Sequence, residues 1–252
     1  MTARNARHAR RRRSRWVGAT VLATLLLAVL VASSALGSDG AHFDGPYAGA
    51  LRDLAGRGVV GGRSPDTLSP LRSVTRQEFA KMIVLTLGLP VTDTDACMFT
   101  DVPRTAGASL YPDHYVAVAS RHRIILGMTL TLFAPQEEIT RAQLLTIATR
   151  GLDLVMSGLI TEDPLLSTNR VSTGDDSLDI TLRQAECAGL TNGLQGYGAS
   201  WDPWAPAALG EVAQVLGNLL DALGRSTDAA VATVPRRSAA PEPRSDTRYG
   251  TA

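Results

Sequence analysis

The sequence predicts an all-α fold made of tandem helix–loop–helix units, and three observations carry the prediction. The stretch Val74-Thr75-Arg76-Gln77-Glu78-Phe79-Ala80 returns 65 residues later as Ile139-Thr140-Arg141-Ala142-Gln143-Leu144-Leu145. Each copy opens an apolar helical pattern with a Thr and, three residues on, a Glu or Gln, which is the pattern of a capping box. A third, weaker copy of the same plan follows. Repetition at a fixed period means that one supersecondary unit is being stacked.

In the first unit, Asp44 is placed to cap a helix with Pro46 in its first turn and Leu51, Leu54 and Ala55 on its apolar face. Gly58-Val59-Val60-Gly61-Gly62 ends that helix, and a loop runs to Leu68-Ser69-Pro70. The second helix starts after Thr75, buries Phe79, Met82, Ile83 and Leu87, and stops at Gly88 and Pro90. The second unit opens with Phe99-Thr100-Asp101, matching Phe43 and Asp44, and then carries an insertion at about Arg104–Leu110. Tyr115, Val116 and Ala119 supply its first face, Ile124-Ile125-Leu126-Gly127 matches Val59–Gly62, and Phe133-Ala134-Pro135 matches Leu68–Pro70. A polar connector, Ser157–Asp179, leads to the third unit. There Gly189-Leu190-Thr191-Asn192-Gly193 and Trp201-Asp202-Pro203 take the corresponding places, and a helix with Val212, Val215, Leu216 and Leu219 on one face closes it. Ala208-Leu209 stand where the Thr-Arg pair should be. After Gly224 the chain is rich in Arg, Pro, Ser, Thr and Asp without periodicity and reads as a disordered tail.

The formal charge of +1 conceals an asymmetry. Seven arginines precede Trp16; without them 18 basic residues face 24 acidic ones, so the body is acidic and poorly suited to nucleic acid. The basic start, the apolar run Trp16–Val31 and the small residues Ala32–Gly37 make residues 1–37 an export signal. The alternative is an uncleaved membrane anchor, since the apolar stretch has about the 20 residues needed to span a bilayer. Either way the body is expected outside the cytoplasmic membrane. In that compartment Cys97 and Cys187 are either one disulfide or two buried thiols.

The repeated arginine is not explained by helix propensity, because a cation in the first turn opposes the helix dipole. One reading has Arg76 and Arg141 join the free first-turn N–H groups in facing an anion. The other is a salt bridge to Asp44 or Asp101. His42, His114 and His122 lack a metal-binding spacing, Asp93-x-Asp95 lacks the rest of a calcium loop, and no nucleophile elbow or phosphate-cradling loop occurs. Asp44 with Asp101 is formally an acid/base pair, but helix capping or ligand contact is the simpler role for each.

Taken together, Phe-x-Asp, an apolar helix, Gly-Ile-Ile-x-Gly, Phe-x-Pro and Ile-Thr-Arg-Ala-Glu form a pattern that resembles S-layer homology repeats. The resemblance covers about Ala41–Leu223 as repeats at 41–90, 97–156 and, in degenerate form, 180–223, with 157–179 as linker and 224–252 as tail. It implies a pseudo-threefold all-α bundle and a non-catalytic cell-surface function: binding cell-wall polysaccharide, such as a pyruvylated polymer linked to peptidoglycan, in grooves between repeats. No cofactor, metal or nucleic acid is implied, and the membrane is involved only if the N-terminal segment stays attached. Carried onto this chain, the ligand-binding candidates are Arg76, Arg141, Asp44, Asp101 and the backbone at Gly62 and Gly127. Trp204 is a stacking candidate on the third loop, whereas Trp201 takes the packing place of Phe133. Two departures stand out. Leu209 replaces the third arginine, which should silence one groove, and Arg123 stands where the family has Gly. The other function classes are a wall-active hydrolase targeted by its repeats and a membrane-tethered scaffold with a protein partner.

Overall fold

The structure is a computed structural model that describes residues 45–61, 68–156 and 171–232, with side chains to residue 225. The expected N-terminal signal, Asp44, Gly62 and the end of the tail lie outside the described residues. Six helices and no strand are present among the described residues: α1 (Ala48–Gly56), α2 (Arg76–Thr86), α3 (Asp113–Arg121), α4 (Arg141–Val155), α5 (Asp176–Cys187) and α6 (Leu209–Ala232). None is long and apolar enough to cross a membrane.

Local chemistry sets the ends. Thr75 and Thr140 each form a complete capping box, with Glu78 and Gln143 respectively. Ala208 has no hydroxyl, but Glu211 still accepts its N–H at 3.0 Å, so half of the box survives at the third position. Three short helices end in left-handed residues at equivalent places: Gly58 (φ 71°), Arg123 (φ 58°) and Gly189 (φ 78°). The second unit therefore keeps the turn without the glycine, at the steric cost of a β-carbon there.

Three expectations are corrected. α1 begins at Ala48 after Tyr47, which makes no side-chain cap, so Pro46 precedes the helix rather than opening it. α5 begins inside the expected linker, because Asp175 accepts the N–H groups of Ser177 and Leu178 and nucleates the first turn. α6 continues past Leu223 to Ala232.

The helices pair across units. α2 packs on α3, α4 on α5, and α1 on α6. Each short helix therefore lies on the long helix of another unit, and the first and last units close the circle. Leu51, Leu54, Phe79, Ile83, Val116, Phe133, Leu144, Leu145, Leu182, Leu190, Val212 and Leu216 fill the core with almost no exposure. At the centre three backbone hydrogen bonds form a ring. The N–H of Val74 donates to the carbonyl of Ala207 (3.3 Å), that of Ala207 to Ile139 (2.8 Å), and that of Ile139 back to Val74 (3.0 Å). The arrangement is a pseudo-threefold all-α bundle, and Leu209 occupies the structural place of Arg76 and Arg141. Cys97 and Cys187 are not joined by a disulfide. Cys97 is buried in the segment tied to α3 through Asp95, whereas Cys187 ends α5, which packs on α4.

Candidate functional site

The first turns of the long helices are already satisfied. The N–H groups of Arg76 and Gln77 donate to the carbonyls of Glu137 (2.8 Å) and Pro135 (3.1 Å). Those of Arg141 and Ala142 donate to Ala205 (3.0 Å) and Pro203 (2.8 Å), and those of Leu209 and Gly210 to Arg72 (2.8 Å) and Pro70 (2.9 Å). Each helix start is thus capped by a loop of another unit. This corrects the expectation of free N–H groups awaiting an anion.

The two arginines then diverge. Arg76 is only 4% exposed. Its Nε donates to the Phe133 carbonyl and its Nη2 to the Leu126 carbonyl, both at 2.8 Å, and the guanidinium lies 4.7 Å from the centre of the Phe133 ring. Burial lowers its pKa from the ordinary arginine value, and the nearby charges of Glu137 and Asp101 oppose that shift. The group stays cationic. It makes no salt bridge to Asp101. Arg141 lies over Trp201 at 5.4 Å and forms a two-pronged pair with Glu211, Nη2–Oε1 at 2.7 Å and Nε–Oε2 at 3.1 Å. Glu211 is buried, so this pair already neutralises Arg141. The salt-bridge reading therefore holds for Arg141, with a partner that the repeat pattern did not suggest.

Asp101 is a turn cap. Its carboxylate accepts the N–H groups of Phe133 (2.8 and 3.1 Å) and Ala134 (2.7 Å), where Ala134 has φ 60°. Burial pushes its pKa up, but the backbone hydrogen bonds together with the nearby charge of Arg76 outweigh it and hold the carboxyl below the usual aspartate value. At Gly127 a β-carbon would collide with the Phe99 ring and with the carbonyls of Thr129 and Leu132. The glycine lets the loop fold tightly and present the Leu126 carbonyl to Arg76. Trp201 is buried and packs edge-on against Tyr197 at 5.1 Å, as its match with Phe133 implied. Trp204 is 54% exposed.

Arg76 and Trp204 meet in one groove of about 290 Å³. Leu126 and Met128, with Gln143, Thr146 and Ile147 of α4, also line it. Arg150 adds an exposed second cation from the far end of α4. The groove surface is largely apolar and the Arg76 guanidinium is held on the Phe133 and Leu126 carbonyls, so Trp204 and Arg150 are the exposed groups that could meet a sugar ring and an acid. Sequence reasoning placed Arg76 and Trp204 but not together. It missed Arg150, whose signal is the helical spacing Gln143, Thr146, Ile147, Arg150 along one face. Among the described residues no cluster of metal-ligating side chains occurs. Asp95, from the Asp-x-Asp pair, caps a turn at Thr92 and pairs with Arg121.

The family model of the S-layer homology domain matches residues 38–80 and 99–145. A curated endoglucanase of Bacillus sp. (strain KSM-635) is 34% identical over 114 residues, which is 45% of this chain and 11% of the endoglucanase. The chain thus spans only a small part of that relative. The matched segments contain the two capping boxes, the Arg76 and Arg141 helix starts and the Gly127 loop, so at residues 38–80 and 99–145 the chain carries segments that match the S-layer homology domain.

Proposed function

We propose that this chain is a non-catalytic cell-surface module that holds to an anionic wall polysaccharide through the groove between Arg76 and Trp204. One observation carries the reading: the exposed indole of Trp204 and the exposed Arg150 border a single, largely apolar groove that the buried cation Arg76 also lines. The third helix–loop–helix unit acts as a degenerate repeat, because it supplies Trp204 and closes the central ring. In this reading Arg141 is structural, since Glu211 occupies it.

The hydrolase alternative is weaker on physical grounds. A general acid needs a raised pKa, and Asp101 is held low with its carboxylate engaged by backbone. The endoglucanase match is confined to a small fraction of that enzyme.

The test is co-sedimentation of the full chain with isolated wall sacculi, before and after chemical removal of the secondary polymer. Wild-type binding should vanish with the polymer. Trp204→Ala and Arg150→Gln, both at exposed positions, should leave circular dichroism unchanged and each weaken binding about tenfold. Retention that is indifferent to both substitutions would overturn the groove assignment, and retention after polymer removal would move the target to peptidoglycan.

A further inference from the structure

The turn at the tip of the second unit carries three exposed apolar side chains. Met128 is 56% exposed, Leu130 91% and Leu132 45%. Their counterparts 65 residues earlier are Arg63, Pro65 and Thr67. In the third unit the stretch between Gly193 and Trp201 holds Leu194, which is buried, and Tyr197, which is half-buried. The repeat plan therefore does not require apolar groups at this turn, and among the described residues only the second unit exposes a run of them there. Leu130 and Leu132 do not line the groove that Met128 and Trp204 border.

The backbone of the turn is largely closed on itself. The N–H of Thr129 donates to the Leu132 carbonyl (3.1 Å), and those of Thr131 and Leu132 donate to the Thr129 hydroxyl (3.3 and 3.0 Å). The Thr131 carbonyl accepts the N–H (2.9 Å) and the hydroxyl (3.2 Å) of Thr100. The tip thus presents side chains rather than a row of backbone groups, and a partner strand has little edge to pair with. That suits surroundings that cannot hydrogen-bond. The charges point the same way. In an acidic body, residues 122–136 contain no Asp or Glu. Arg123 is exposed three residues before Leu126, and the exposed Arg150 and Trp204 share the groove lining with Met128. The carboxylates that approach are engaged: Asp101 by the Phe133 and Ala134 N–H groups, Asp95 by Arg121, and Asp202 by the Trp204 N–H. Glu137 and Glu138 follow only after Pro135 has turned the chain toward the start of α2.

We propose that this tip is a lipid-contact element: Met128, Leu130 and Leu132 enter the interfacial layer of a bilayer, and Arg123 and Arg150 meet its anionic headgroups. A bilayer accepts a few apolar side chains at a depth of about 5–10 Å. A stable protein interface takes about 20–30 residues a side, far more than this short turn supplies. An exposed indole such as that of Trp204 favours the same boundary layer. Where the apolar run Trp16–Val31 stays attached, the body is held beside a membrane, and effective concentration then makes even a weak contact count.

The test puts a photo-reactive diazirine amino acid in place of Leu130 in the full chain, reconstituted in vesicles of phosphatidylcholine and phosphatidylglycerol. The same group in place of Asp53, exposed on α1, is the reference. After illumination, mass spectrometry should find phospholipid adducts several times more often at position 130 than at position 53. Equal yields would mean that nearness to the membrane labels the whole chain, and would overturn the proposal. Cross-linked dimers in place of lipid adducts, or adducts of water alone, would overturn it too. Leu132→Asp, with unchanged circular dichroism, should lower the yield at position 130 about tenfold, as expected for one apolar side chain withdrawn from lipid; an unchanged yield would overturn insertion. Arg123→Gln, or vesicles of phosphatidylcholine alone, should lower the yield severalfold, and indifference to both would overturn the headgroup assignment. No wall polymer is present in this assay, so its outcome is independent of the groove.

Discussion

Arg123 offers a measurement with its own internal controls. It holds φ 58° at the end of α3, where the other two units place Gly58 and Gly189. Its side chain is exposed and makes no hydrogen bond or ion pair among the described residues. A left-handed residue with a β-carbon costs about 1–2 kcal/mol. Glycine would remove that cost but enlarge the unfolded ensemble by about 0.4–1 kcal/mol. Arg123→Gly should therefore stabilise the fold by about 0.5–1 kcal/mol. The mirror substitution, Gly58→Ala, adds a β-carbon that meets nothing within 4 Å, so only backbone strain is tested, and it should destabilise by a similar amount. Urea unfolding followed at 222 nm reads both, as midpoints moving in opposite directions with unchanged slopes. A destabilised Arg123→Gly, or two shifts of the same sign, would refute the argument that backbone conformation rather than side-chain contact governs this turn.

Arg141→Ala should act through folding. It leaves Glu211 buried with the Ala208 N–H as its remaining partner, and because Arg141 is itself partly exposed the cost should be about 2–3 kcal/mol in the same urea assay. Gly127→Ala should cost about 1–3 kcal/mol, since backbone carbonyls and the Phe99 ring occupy the space; a neutral result would mean that the loop is looser than described. The Asp101 carboxyl sits below its unfolded pKa of about 3.9, so its stabilising contribution is present above that value and is lost as pH falls through the lower folded value. Asp101→Asn should accordingly be less stable than wild type at pH 7, with the gap closing in acid; a gap that persists at pH 2 would contradict the backbone-capping role.

What the sequence made legible was local. Thr75–Glu78 and Thr140–Gln143 are complete capping boxes because that interaction needs only residues three apart. The Phe133–Trp201 correspondence and the placement of Leu209 opposite the arginines also survive, since both follow from alignment of the copies. What was not legible depends on neighbours distant in the chain. The pairing of α1 with α6 cannot be read from the face of either helix. Nor can the loop carbonyls that fill the helix starts, because backbone groups leave no trace in residue identity. Arg76 and Arg141 are identical in local sequence and differ only in what faces them: carbonyls of Leu126 and Phe133 in one case, the carboxylate of Glu211 in the other.

The closed ring of Val74, Ile139 and Ala207 also dictates the order in which the molecule can be completed as it is made. Val74 must await Ala207, and Leu51 and Leu54 on α1 must await α6, more than 150 residues further on. Contacts of such separation form late and slowly. A chain emerging from the ribosome therefore holds its first helix without a docking partner until the last unit has been synthesised, and a truncation before Leu209 yields an open chain rather than two-thirds of a working protein.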